Sequence, residues 1–180
     1  MVSLLVNNKG SFMSKLLSSD CFDSFLLEEA TIQMAVTFRI DGRLNRDFFD
    51  SDEWKDSERR PYELSPWSHV RGYCHDCIKG RKAPAGFRFI LQLKPEYVSA
   101  SLSDVPENTK AAVSSLAINI RMSTPLSDED ALPQNNAGDI HIVTGISMKT
   151  FTLDKSAEPA WDRTIERFLT SKGIEFERET

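Results

Sequence analysis

Between Ala30 and Ile40 every even position is apolar: Ala30, Ile32, Met34, Val36, Phe38 and Ile40 alternate with Thr31, Gln33, Ala35, Thr37 and Arg39. A period of two over this length predicts a half-buried β-strand, because successive side chains of an extended chain point to opposite faces. The alternation returns at Leu116, Ile118, Ile120 and Met122, and again at Ile140, Ile142, Thr144, Ile146 and Met148. These two segments are expected to pair as an antiparallel hairpin. "VSLLV" at residues 2–6 reads as an opening strand, "FDSFLLEE" as another whose apolar phase slips near Glu28 and Glu29, and "GFRFILQL" as one with Phe87, Phe89, Leu91 and Leu93 on one face. Asp41-Gly42 is a hairpin signal. A strict two-residue turn there would set Arg43 opposite Ile40 on the core face, so a longer turn or bulge that brings Leu44 and Phe48 inward is expected.

Helical spacing appears between these strands. Phe12, Met13, Leu16 and Leu17 share one face of "KGSFMSKLLSS", with Ser11 available as a cap. Ser65-Pro66 supplies an N-cap and a first-turn proline, and Gly80 a C-terminal stop, which frames a helix from about 66 to 79. Pro95 opens a short helix with Tyr97, Val98 and Leu102. From about Ala157 to Lys172, Trp161, Ile165, Phe168 and Leu169 form the stripe of an amphipathic helix docked on a sheet, with Gly173 after it. Residues 50–64 are charged and aperiodic and read as a solvated connection, whose acidic cluster could in principle hold a cation. Residues 124–138 are polar, acidic and proline-containing and read as a mobile loop.

This order predicts an α+β fold with a mainly antiparallel sheet and amphipathic helices packed on one face. Each half has a helix followed by antiparallel strands, so a duplicated unit of the sliding-clamp type is the alternative. A length of 180 residues predicts a single domain spanning 1–180. Twenty-two basic against 27 acidic residues leave a net charge of -5, which argues against non-specific nucleic-acid or anionic-membrane binding as the main task. No apolar run is long enough for a membrane span, and "MVSLLVNNKG" is too short and lacks the basic leader of a signal peptide. Together with an odd count of three cysteines, this points to the cytoplasm.

"RGYCHDCIKG" holds the densest chemistry. Cys74 and Cys77 are one helical turn apart and could share a metal with His69 and His75, yet no second Cys/His pair of suitable spacing exists. The two cysteines also continue a stripe of Trp67, Val70 and Ile78, the pattern of a core-facing helix in which cysteine is an apolar filler. Lys79, Arg81 and Lys82 follow at the helix end, with Arg71 and Arg88 as further cations expected nearby. They suit a phosphate, a nucleotide or an acidic partner, or simply complement the negative helix terminus. His141, with Asp139 and Ser147 on the same strand face, is a solvated strand histidine or part of a catalytic group whose geometry the sequence does not supply.

The segments "SFMSKLLSSDCFDSFLLEEATI", "FRIDGRLN", "WSHVRGYCHDCIKGRKAP" and "TGISMKTFTLDKSAEPAWD" together resemble an uncharacterised bacterial family, a domain of unknown function found mainly in Clostridia-type Firmicutes. The likeness runs from about Leu4 to Leu169. The family pattern is matched at Tyr73-Cys74, from Ile78 to Pro84 and from Thr144 to Lys155, and departed from at Cys77, where an apolar residue is usual, and at Ala83, where threonine is usual. The resemblance implies a single domain in a Gram-positive cytoplasm, with no known activity, cofactor or partner. The expected function is therefore a non-catalytic binding or interaction domain that uses the outer face of the sheet or the basic helix end, with no catalytic residue and no cofactor assigned. The alternatives are a phosphate- or nucleotide-binding protein or enzyme built on the basic cluster and, more weakly, zinc bound by the cysteine pair. A protein partner or a phosphorylated small molecule fits these readings.

Overall fold

The computed structural model describes residues 1–80, 82–123 and 138–179. Along the chain run β1 (Ser3–Val6), α1 (Lys9–Ser18), β2 (Phe25–Gln33), β3 (Thr37–Asp41), a 3-10 turn (Arg46–Phe48), α2 (Ser51–Lys55), β4 (Ser65–Pro66) and α3 (Trp67–Ile78). They are followed by β5 (Gly86–Leu93), α4 (Pro95–Ser101), α5 (Glu107–Ala112), β6 (Val113–Ser123), β7 (Ile140–Met148), α6 (Ala157–Ser171) and β8 (Phe176–Arg178). The strands form one eight-stranded sheet in the order β3-β2-β5-β6-β7-β1-β8, with β4 attached to β2 off that path. Every pairing is antiparallel, and β6 and β7 form the expected hairpin. The fold is α+β. Both strand groups that suggested a duplicated unit lie in this one sheet, joined through the β2–β5 ladder.

Register explains which face is covered. Ala30, Phe89, Ile120, Ile142 and Leu4 lie opposite one another across five strands, and all are buried. Onto this face α1 packs Phe12, Leu16 and Leu17, α3 packs Trp67 and Cys74, and α6 packs Trp161, Ile165 and Leu169, all in one continuous core. Each fully buried aliphatic or phenyl side chain there contributes roughly 1.5–3 kcal/mol. The two buried indoles keep their donors satisfied: Trp67 Nε1 donates to the Leu16 carbonyl at 2.9 Å and Trp161 Nε1 to the Ala117 carbonyl at 3.0 Å. The neighbouring register row, Thr31, Arg88, Arg121, His141 and Leu5, lies on the other face and remains open to solvent to varying degrees. An antiparallel sheet tolerates one wet face.

Several local expectations are corrected. The alternating stretch from Ala30 to Ile40 is two strands: the chain reverses at 34–36, where Met34 N donates to the Val36 carbonyl, and Ala30 pairs with Ile40. A hairpin that pairs even residues with even ones keeps the period of two through its turn, so the pattern hides the reversal. Asp41-Gly42 is therefore no hairpin tip. Gly42 N donates to the Glu28 carbonyl at 2.9 Å beside the Leu27/Glu29 bulge, and a Cβ on Gly42 would stand 1.8 Å from the Leu27 carbonyl oxygen. Leu44 is half-buried and Phe48 is 84% exposed, so neither joins the core.

Asn8, not Ser11, caps α1, its side chain accepting from Ser11 N at 3.0 Å. Ser65 and Pro66 form a short strand against Leu27 and Leu26, and α3 starts at Trp67 with no side-chain cap. Residues 50–64 are more than a solvated connection. Asp50 and Glu53 form a capping box on α2, and the Arg60 guanidinium stacks 3.8 Å from the Trp54 ring centre. The helix α5 and the edge strand β8 carry too little periodicity to be seen in the sequence. Of the loop expected at 124–138, residues 124–137 lie outside the described residues.

Candidate functional site

The stripe expected on α3 is where the cysteines sit. Trp67 and Cys74 are fully buried, Cys77 is half-buried, and His69 and His75 are exposed. Burial, then the neighbouring Cys77, pushes the Cys74 thiol up to about 12. The four residues named as metal ligands are thus divided between the core and the solvent. Among the described residues no group of three or more His, Cys, Asp or Glu side chains is placed to hold a metal ion. The carboxylates of Asp50 and Glu53 in the acidic connection are committed to the cap of α2.

Of the cations expected around the end of α3, Arg88 lies on the opposite face of the sheet, in the row of Thr31 and Arg121. Lys79 pairs with Asp76 at 3.1 Å, and this hydrogen bond holds the Asp76 carboxyl below its ordinary value. Lys82 is exposed, and Arg81 lies outside the described residues. Arg71 pairs with Asp23. It lies eight residues before Lys79, the residue that follows α3, about 12 Å along the axis. His141 and Asp139 likewise have separate partners: His141 Nδ1 is 3.0 Å from Glu179, and Asp139 pairs with Lys9 at 2.9 Å. Ser147 is exposed further along β7.

What the fold does assemble is a furrow. Between α1 and the C-terminal half of α3, over the ends of β5, β6 and β7, lies a hollow of about 490 Å³. Phe87, Met122 and Ile140 of the sheet, Met13 and Leu17 of α1 and Ile78 of α3 make its lining predominantly apolar. Lys9, His75 and Lys79 also line it, and Met122 and Ile140 are the strand ends on either side of residues 124–137. A second hollow of about 430 Å³ shares Leu17, Ser18 and His75 with the first and continues along α3 past Gly72 to Ser68. On α1 the small residues Gly10, Ser14 and Ser18 recur every fourth position along the first hollow and leave it open. A volume near 500 Å³ is that of a small-molecule site.

Of the residues proposed from sequence for chemistry, His75 and Lys79 line this furrow, and His69 lines its extension. Met13, Leu17, Phe87, Met122 and Ile140 carry no functional signal in the sequence, because each reads as part of a core stripe, and Lys9 stands apart from any basic cluster. The available signal is the succession Lys9, Met13 and Leu17 at every fourth position beside Gly10, Ser14 and Ser18, which places a small-residue strip next to an apolar one.

Fold and site together define an α+β protein with a helix-walled furrow on one side of an antiparallel sheet. A model of the family of unknown function DUF5721 matches residues 15–177, and the chain belongs to that family. No curated protein and no solved structure matches the chain. No helix among the described residues is long and apolar enough to cross a membrane.

Proposed function

We propose that this chain is a non-catalytic binding domain whose ligand is an apolar molecule with an anionic end, taken up in the furrow between α1 and α3. The observation that carries this reading is the chemistry of the lining: an apolar floor of Phe87, Met122 and Ile140 beside Lys9 and Lys79, which a ligand's anionic end would share with their partners Asp139 and Asp76. Magnitudes divide the work between the two. Each methylene removed from water contributes about 0.8 kcal/mol, whereas an exposed ion pair adds at most about 1 kcal/mol. Affinity then follows chain length, and the cations set orientation. The described lining offers shape and charge rather than an assembled nucleophile and base. A reducing, cytoplasmic setting in a Gram-positive bacterium belongs to the same proposal, supported by three free cysteines of which one is sealed in the core.

The test is thermal-shift and calorimetric titration of the purified chain with decanoate, decanol, decyl phosphate and AMP. Decanoate and decyl phosphate are expected to raise the Tm, decanol to raise it less and AMP to leave it unchanged. Ala83→Trp, which fills the furrow from an exposed lining position, should abolish the response. A response to AMP alone would favour a nucleotide site instead. An undiminished response in Ala83→Trp would remove the furrow from consideration.

A further inference from the structure

The uncovered face of the sheet carries a charge arrangement that does nothing for the fold. Arg88 of β5 and Arg121 of β6 are direct cross-strand partners, and both are exposed. Like charges set opposite one another destabilise a ladder. Among the described residues neither guanidinium has a hydrogen-bonded or ion-paired partner, and the nearby acids are engaged elsewhere, Glu179 acting on Arg121 through its charge. Glu29 accepts from Arg39 and from the Thr31 hydroxyl, each at 3.3 Å. Glu179 is held by Ser3 and His141 and feels Arg121 only through its charge. Thr31 and His141 continue the row on either side of the arginine pair.

The next row on the same face is different in kind. Ile90 and Val143, both half-buried, flank Asn119, and Leu5 lies in the arginine row between His141 and Glu177. A cationic pair thus borders two half-buried apolar side chains, with Asn119 between them, on the face of the sheet opposite the furrow. We propose that this face docks an acidic protein segment that also carries apolar side chains, with Arg88 and Arg121 receiving its carboxylates and Ile90 and Val143 its apolar groups. Paired guanidinium forks match carboxylates in geometry as well as charge. A nucleic acid fits less well: Glu29, Glu177 and Glu179 confine favourable anion contacts to the arginine pair, which suits a segment with few, spaced carboxylates better than a continuous phosphate backbone, and the half-buried Ile90 and Val143 have no counterpart in that backbone.

The experiment uses the full chain and a fluorescent decapeptide of alternating Glu and Leu, with an alternating Lys and Leu decapeptide and a twenty-nucleotide oligo-dT as comparison probes. Anisotropy titrations should show binding of the acidic peptide that weakens with salt, and little binding of the other two. Arg88→Glu and Arg121→Glu should each weaken it by at least about tenfold, and Arg163→Glu, an exposed charge reversal on α6, should not. Arg88→Glu also replaces a repulsive pair by an attractive one, so its Tm should rise by about 1–3 °C as binding is lost. That opposition separates recognition from a structural role. Absence of acidic-peptide binding, equal affinity in the arginine variants, or tighter binding of oligo-dT than of peptide would each overturn the proposal.

Discussion

The sulfur of Cys74 faces the core from the middle of α3, with no exposed surface. Its thiol is pushed up to about 12 from an ordinary 9.0, first by burial and then by Cys77. The group therefore stays neutral where a free thiol ionises. Stability from this shift is fully present below about pH 9 and is lost as the pH rises toward 12, since only the unfolded chain can then release the proton cheaply. In a native chain at pH 8, a thiol reagent should label Cys21 and Cys77, which are partly exposed, and reach Cys74 only at the rate of unfolding. Counting modified cysteines by mass spectrometry checks this. Fast labelling of Cys74 in the folded protein would contradict its place in the core.

The helices α1 and α3 wall the furrow, and Trp67 ties them together. Its indole is fully buried, packs against Phe89 with ring centres 5.6 Å apart, and donates to the carbonyl of Leu16 on α1. Trp67→Phe keeps an aromatic ring but removes that bond and leaves a void. The expected loss is roughly 2–3 kcal/mol, about 1 kcal/mol from the bond and the rest from the cavity. Urea denaturation should show a lower midpoint with an unchanged slope. Because the wall of the furrow shifts with this contact, decanoate binding should weaken in the same variant. The start of α3 was legible in the sequence to within one residue, since Pro66 restricts where the helix can begin. The partner of Trp67 was not, because Leu16 lies 51 positions away.

Across the molecule, acids at the periphery are held in charged form by local donors. Asp139 is lowered by Lys9, Asp154 by Thr109, Asp76 by Lys79, and Glu179 first by Ser3 and then by His141. Each folded value lies below the ordinary 3.8 of Asp or 4.5 of Glu. The stability they contribute is thus present above those values and is lost as the pH falls through the folded ones. Melting curves should be flat from about pH 5 to 7 and fall below about pH 4. Lys9→Met should reduce the acid-dependent part, as it removes the hydrogen bond to Asp139. A Tm independent of pH down to 3 would show that these contacts do not form in solution.

Alternation and helical stripes were enough to place β5, β6, β7, α1, α3 and α6, because period and solvent exposure are linked along one element. They could not reveal the reversal at Met34–Val36, since a hairpin pairing even residues with even ones leaves the period intact. Nor could they show that a hollow opens beside part of the core. Met13, Leu17, Phe87, Met122 and Ile140 carry the same pattern as the core, and whether a furrow opens above them depends on how far apart α1 and α3 stand. The arginine pair is of the same kind: Arg88 and Arg121 are ordinary strand residues until the β5–β6 register sets them side by side. Local periodicity is written in neighbouring residues, whereas coverage and cross-strand partnership come from segments far apart in the chain. For that reason the sequence by itself determined the elements and their buried faces, and the tertiary structure alone decided where a ligand or partner could be received.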